Sequence, residues 1–166
     1  DRMSAFGYER ETTPNLRALA DAGVRFSMAR SPAPWTLPSF ATMFTGRYPT
    51  QNDMMSNQTG HLRSCEMLDA FRHAGYQVSY AGKWHMGNDP TPRPGYDYWV
   101  SFDGQGKTYD PDLYENGRIH PVKGYITDIF TDRAIDFIKS SDGQPFFLYI
   151  GHKAVHPEAK QLDDGT

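Results

Sequence analysis

Cysteine is nearly absent: Cys65 stands alone in 166 residues, which excludes an intrachain disulfide framework and a cysteine-built metal cluster. On a helix face it reads as a small core residue, with a reactive thiol as the alternative. Long apolar runs are missing too. None approaches the roughly 18 residues that would cross a membrane, so no span is expected. Positive charge is not in surplus: 17 Lys and Arg against 20 Asp and Glu leave a net charge of −3, which argues against nucleic acid as a partner. There is no internal repeat and no low-complexity tract. The sequence opens abruptly on Asp1-Arg2-Met3, itself neither an initiator nor a signal segment, and closes on a polar run over residues 161–166. The chain therefore reads as an excerpt, incomplete at both ends, with its compartment open. Asn57-Gln58-Thr59 fits a glycosylation triplet, a pattern that also arises by chance.

What is present suffices for one domain with a core, at 38% apolar and 22% charged residues. Thr13-Pro14-Asn15-Leu16 opens a helix, with Thr13 as cap, Pro14 in the first helical position, Leu16, Leu19 and Ala20 as apolar face and Gly23 as stop. Residues 24–28 alternate like a strand, and residues 47–60 read as loop. A helix over residues 62–74 carries Leu62, Cys65, Leu68, Phe71 and Ala74 at three-residue steps, Gly75 ends it, and a strand follows over 76–81. Helix, glycine, strand is the grammar of an α/β fold, a mostly parallel sheet flanked by helices. Residues 86–124 form a long irregular insertion rich in proline, glycine and tyrosine. Asn116-Gly117 signals a hairpin there, near residues 113–119. This segment covers the site, selects substrate, or is simply irregular surface packing. Residues 126–140 make the strongest helix, with Ile126, Phe130, Ala134, Phe137 and Ile138 as one stripe. Residues 145–150 read as a buried strand.

Three places carry candidate chemistry. In residues 34–46 a loop turns into a short helix at Pro38, with apolar Phe40, Met43 and Phe44 on one side and Gly46 as stop. Thr36 then sits just before a helix N-terminus, where unpaired N–H groups favour an anion. Its hydroxyl suits attack on phosphorus or sulfur, or else caps the helix. Lys83 and His85 lie at the end of the strand over 76–81, the edge that faces ligands in open α/β folds, and two-residue spacing points them the same way. A solvated lysine beside a half-buried histidine is the plainer reading. His156 follows the last strand at the same kind of edge. Asp128 and Asp132, four apart on a helix, suit a solvated face better than a metal.

Taken together, Thr13-Pro14-Asn15-Leu16, Thr36-Leu37-Pro38-Ser39-Phe40 with Thr45-Gly46-Arg47, Gly82-Lys83-Trp84-His85, Tyr125-Ile126-Thr127-Asp128 and the block from 145 to 156 resemble the sulfatase family of the alkaline phosphatase superfamily. The resemblance covers nearly the whole chain and implies a partial catalytic domain over residues 1–166 with an alkaline phosphatase-like fold. It implies that Thr36 is the nucleophile, that Lys83, His85 and His156 hold anionic oxygens and assist the leaving group, and that Arg47 joins Lys83 and His156 in binding substrate. It also implies a divalent cation (Ca, Mg, Mn or Zn) beside the nucleophile. Thr36 is the one ligand expected here, with the others outside this stretch, so the stretch alone is expected to bind metal weakly and to be inactive. The implied partner is a small-molecule or glycan sulfate or phosphate ester. Many relatives are secreted, periplasmic or lysosomal.

Two positions depart from the family pattern. The formylglycine-forming Cys or Ser is Thr36, and the following Arg is Phe40. A threonine nucleophile resembles the phosphodiesterases and phosphoglycerol transferases of the superfamily, so the expected chemistry leans to phosphodiesters. The competing expectations are a non-catalytic sulfatase-like domain that binds anionic glycans or phosphates, and an α/β domain with an empty site.

Overall fold

The computed structural model describes residues 2–56, 65–84 and 89–156. Asn57-Gln58-Thr59, Leu62, His85, the start of the 62–74 helix and the polar run at 161–166 lie outside the described residues. The chain divides into two compact units, residues 1–31 and 32–166, each considered by itself.

In the first unit a 3-10 turn, Ser4–Phe6, meets helix α1, Pro14–Ala22. Pro14 begins the helix as its fixed φ favours, and the Gly23 N–H closes it on the Ala20 carbonyl. Thr13 occupies the cap position without capping. Its hydroxyl is instead 3.0 Å from that of Ser4 and accepts the Ala5 N–H. The expected apolar face is not buried: Leu16 and Leu19 are exposed. The strand expected over 24–28 does not form, and Val24, Phe26 and Met28 are all exposed. Alternation alone makes no strand, because a strand requires a ladder partner, and none pairs here among the described residues.

The second unit is a sheet packed with helices. Helix α2, Thr36–Thr45, starts two residues before Pro38, so Thr36 is the first helical residue and Trp35 the cap. Pro38 still lies in the first turn, where its missing N–H is harmless. The buried stripe is Leu37, Ala41 and Phe44, with Met43 exposed. Gly46 adopts φ 69° and returns its N–H to the Thr42 carbonyl. The expected loop at 47–60 contains a one-turn helix, α3, Pro49–Asn52. Helix α4, Glu66–His73, has Cys65 at its cap position, half-buried, its thiol 3.7 Å from the Phe44 carbonyl. Burial, with Asp69 and Glu66 nearby, pushes that thiol up to about 11, which makes it an inert packing group.

Strand β1, Gln77–Gly82, pairs in parallel with β2, Tyr98–Ser101, and with β5, Phe146–Gly151. Strands β3, Asp112–Glu115, and β4, Arg118–Pro121, continue the sheet antiparallel, giving the order β4-β3-β2-β1-β5. The sheet is therefore mixed: a parallel core extended by a hairpin turning at Asn116 and Gly117, both at positive φ. This corrects the picture of residues 86–124 as an irregular insertion, since the stretch supplies three of the five strands. Short strands interrupted by prolines and glycines leave little periodicity to read. Helix α5, Ile126–Ser140, packs on this sheet through Ile126, Ile129, Phe130, Ala134 and Phe137, while Ile138 stays exposed. Arg133 of α5 pairs with Glu115 of β3 at 3.2 Å. Asp128 and Asp132 are exposed, as a solvated face requires. Strand β5 is an edge of the described sheet, and its Phe146 and Ile150 are exposed rather than buried.

The main core is aromatic. Tyr80 is fully buried, stacks on Trp99 at 4.7 Å and on Tyr149 at 5.5 Å, and meets Trp84 edge-on. Contacts of this kind add about 0.5–1.5 kcal/mol each beyond the area they bury. Where β1 and β5 end, Gly82 and Gly151 face each other in register. A Cβ on Gly82, which sits at φ 144°, would lie 2.1 Å from the Gly151 carbonyl oxygen. Gly82→Ala is therefore expected to destabilise the fold by about 2 kcal/mol or more, read as a lowered urea midpoint. An unchanged midpoint would show that the two strands do not meet this closely.

Candidate active site

The end of β1 fixes Lys83 at three points. Its backbone N–H donates to the Gly151 carbonyl at 2.8 Å, and its carbonyl accepts the Tyr80 hydroxyl at 2.5 Å. The Tyr80 ring is buried, so its hydroxyl needs a partner inside the fold, and the Lys83 carbonyl meets that need. The third point is the side chain, whose ammonium donates to Gln105 Oε1 at 2.5 Å.

A second lysine arrives from the neighbouring strand. Lys153, two residues beyond Gly151, is only 3% exposed. Its ammonium donates to the Thr108 hydroxyl and to the His156 carbonyl, each at 3.3 Å. Burial and then the Lys153 charge hold the Lys83 ammonium below the ordinary lysine range. Two lysines thus follow the carboxyl ends of two parallel strands, the edge that faces ligands in such sheets, and positive charge there favours an anion. Neither Lys153 nor Gln105 was identified from the sequence. Lys153 shows only as a lysine after an apolar run, and Gln105 only as a glutamine between two glycines.

Thr36 opens α2, exposed in part. The cap position belongs to Trp35, which makes no side-chain cap bond, so the capping reading of Thr36 does not hold. Leu37, the next residue, packs in the same cluster as Tyr80 and Trp84, the latter adjoining Lys83. Phe44, about two turns on from Thr36, meets the Trp84 ring at 6.1 Å, so α2 shares a core with the residue after Lys83. Phe40, one turn on from Thr36, is packed against Phe44 and Tyr149, with ring centroids at 6.2 and 5.9 Å.

The other expected site residues fall out differently. His156 is exposed just after β5, its N–H donating to the Lys153 carbonyl at 2.8 Å, so it lies in the Lys153 turn. His85 lies outside the described residues. Arg47 is not brought to Thr36: it follows the far end of α2, about 15 Å along the helix axis, and its guanidinium pairs with Glu66 at 2.9 Å. His152, which the sequence reading passed over, adjoins Lys153, and burial lowers its pKa.

No three His, Cys, Asp or Glu side chains converge on a metal site among the described residues. Thr36 adds one hydroxyl oxygen. A divalent cation needs several hard oxygen or nitrogen ligands, so the described residues by themselves do not fit that ion.

An anion held by Lys83 requires the protonated amine. Affinity for inorganic sulfate, measured by calorimetry, is therefore expected to fall as pH rises through the lowered pKa of Lys83, at a pH below the ordinary lysine range, and Lys83→Met is expected to abolish that step. Affinity that stays flat until an ordinary lysine titrates would remove Lys83 from the anion site.

Comparison with known proteins fits this geometry. The family model described as Sulfatase matches residues 1–164. An N-acetylglucosamine-6-O-sulfatase of Bacteroides thetaiotaomicron is 35% identical over 161 residues, covering 93% of this chain and 28% of that protein. The human N-acetylgalactosamine-6-sulfatase is 28% identical over 191 residues, covering 93% and 37%. A structure solved in complex with its substrate, D-glucosamine-2-N,6-O-disulfate, superposes with a TM-score of 0.81 at 34% identity, over 93% of this chain and 32% of that one. The chain spans about a third of the length of these relatives.

Proposed function

This chain belongs to the sulfatase family, and we propose that it carries the nucleophile and anion-holding groups of an ester hydrolase or transferase acting on sulfate or phosphate esters. The observation that supports the reading is the two lysines that follow β1 and β5, Lys83 bonded to Gln105 and Lys153 buried, in the same compact unit as the helix that begins with Thr36. In this reading Thr36 Oγ1 forms a bond to sulfur or phosphorus as the bond to the leaving oxygen breaks. The threonine proton passes to solvent water, and the leaving oxygen takes up one, with His156 the described candidate donor and His85 its expected companion. Lys83 balances the charge on the outer oxygens. Water then displaces the threonine oxygen and restores the site; an acceptor alcohol in place of water makes the reaction a transfer.

Between the two ester classes, the residues of α2 favour phosphodiesters. Thr36 replaces the Cys or Ser from which a sulfatase makes formylglycine. Phe40 replaces the arginine that would accompany it, and its ring is spent on packing against Phe44 and Tyr149. The relatives favour a sulfated amino sugar as the first glycan to try. The packed Phe40 also supports a second reading, a domain that binds anionic glycans or phosphates without turnover.

Assays with an aryl phosphodiester, an aryl sulfate and a 6-sulfated glucosamine, with and without added Ca, Mg, Mn or Zn, separate these readings. The expected result is turnover of the diester above either sulfate, with kcat lowered at least about a thousandfold by Thr36→Ala. Activity that survives Thr36→Ala unchanged would remove the nucleophile. Faster turnover of a sulfate would reverse the preference between esters, and saturable binding without turnover would favour the binding domain.

A further inference from the structure

The carboxamide that meets Lys83 belongs to a short, tightly built turn. Gly106 returns its N–H to the Asp103 carbonyl at 3.1 Å, and Gly104 and Gly106 adopt φ 55° and 67° on either side of Gln105. The second glycine lies flat on Phe102: a Cβ there would be 2.4 Å from the ring. Phe102 is itself buried and stacked on Phe130 of α5 at 5.8 Å. The turn is therefore backed by the core. The following residues are tied as well, with Thr108 accepting from Lys153 and its carbonyl accepting the Ile126 N–H. Backbone conformations that side chains adopt poorly, placed on both sides of one glutamine, aim that glutamine at Lys83.

We propose that Gln105 is a specificity-determining residue, whose carboxamide contacts the outer oxygens of the anionic ester held at Lys83. Without substrate, its Oε1 takes the place of an ester oxygen on the ammonium. An ester oxygen binding there displaces Oε1, and rotation about the last side-chain bond turns the two N–H donors of the amide towards the anion. A neutral amide is suited to this exchange. It satisfies the half-buried ammonium without cancelling its charge, whereas a carboxylate would form a charge-assisted pair that competes with the ester. Gln105 thereby sets which oxygens are read beside Lys83 and keeps that lysine available to an anion.

The inference rests on the reading that Lys83 holds the anion, and three variants separate the two. Binding of inorganic sulfate and of inorganic phosphate is measured by calorimetry for the unaltered protein, Gln105→Glu, Gln105→Ala and Lys83→Met, with urea midpoints as a check on folding. Gln105→Glu is expected to weaken both anions at least about tenfold. Gln105→Ala is expected to change the ratio of sulfate to phosphate affinity at least about threefold while the midpoint holds. Loss of binding in Lys83→Met together with unchanged affinities in both Gln105 variants would overturn the role of Gln105 alone. Unchanged binding in Lys83→Met, or no saturable binding by the unaltered protein, would overturn the reading beneath it. If Gln105→Glu lowers the midpoint, the affinity ratio of Gln105→Ala decides.

Discussion

The approach of β1 to β5 at Gly82 and Gly151 is the contact on which the candidate site depends. With no side chain at Gly82, the Gly151 carbonyl comes close enough to accept the Lys83 N–H. Lys83 and Lys153 follow the two glycines, one and two residues beyond the paired positions. Two like charges near one another, one of them almost wholly buried, oppose folding. Hydrogen bonds to Gln105, Thr108 and the His156 carbonyl offset that cost and tie the β2–β3 connection to the strand ends. A sheet that only needed to be stable would gain more from apolar residues here.

The aromatic cluster serves the same end. Tyr80 stacks between Trp99 and Tyr149 and spends its hydroxyl on the Lys83 carbonyl, which makes the packing of β1 and the position of Lys83 a single problem. Leu37, Ala41 and Phe44 dock α2 on that cluster. Helix and sheet thus share one core.

Much of this was legible in the sequence where the signal is local. The bounds of α5 follow from its apolar stripe, and β1 from its alternation after Gly75. Signals failed where a partner decides the outcome. Residues 24–28 alternate as β1 does, yet lack a neighbouring strand among the described residues. Thr13 has the right identity for a cap and gives its hydroxyl to Ser4 and Ala5. The start of α2 at Thr36 rather than Pro38 shows the usual imprecision of helix ends. Within the site, Thr36 and Lys83 stood out because a helix start and a strand end can be recognised in one dimension. Lys153 and Gln105 did not, because each acquires its meaning from the parallel register of β1 with β5 and from the return of the chain after β2. Arg47 adjoins a motif in the sequence, and the structure places it past the far end of α2, paired with Glu66.

Phe40 links these observations. An arginine on α2 would place a fixed positive charge on the same helix as the nucleophile. The phenylalanine gives that position to the core, through contacts with Phe44 and Tyr149. Helix α2 is then left to present a hydroxyl, while Lys83 and Lys153 follow strands of the sheet. Such a division makes different demands on a substrate. A charge beside the nucleophile can stabilise a modified, anionic nucleophile, whereas lysines at strand ends act on the outer oxygens of the ester. On the proposed reading, an unmodified threonine has no use for the first arrangement and direct use for the second. The loss of Cys or Ser at 36 and of Arg at 40 is then one change rather than two, and the outer oxygens of the ester, met by Lys83, remain to select the substrate.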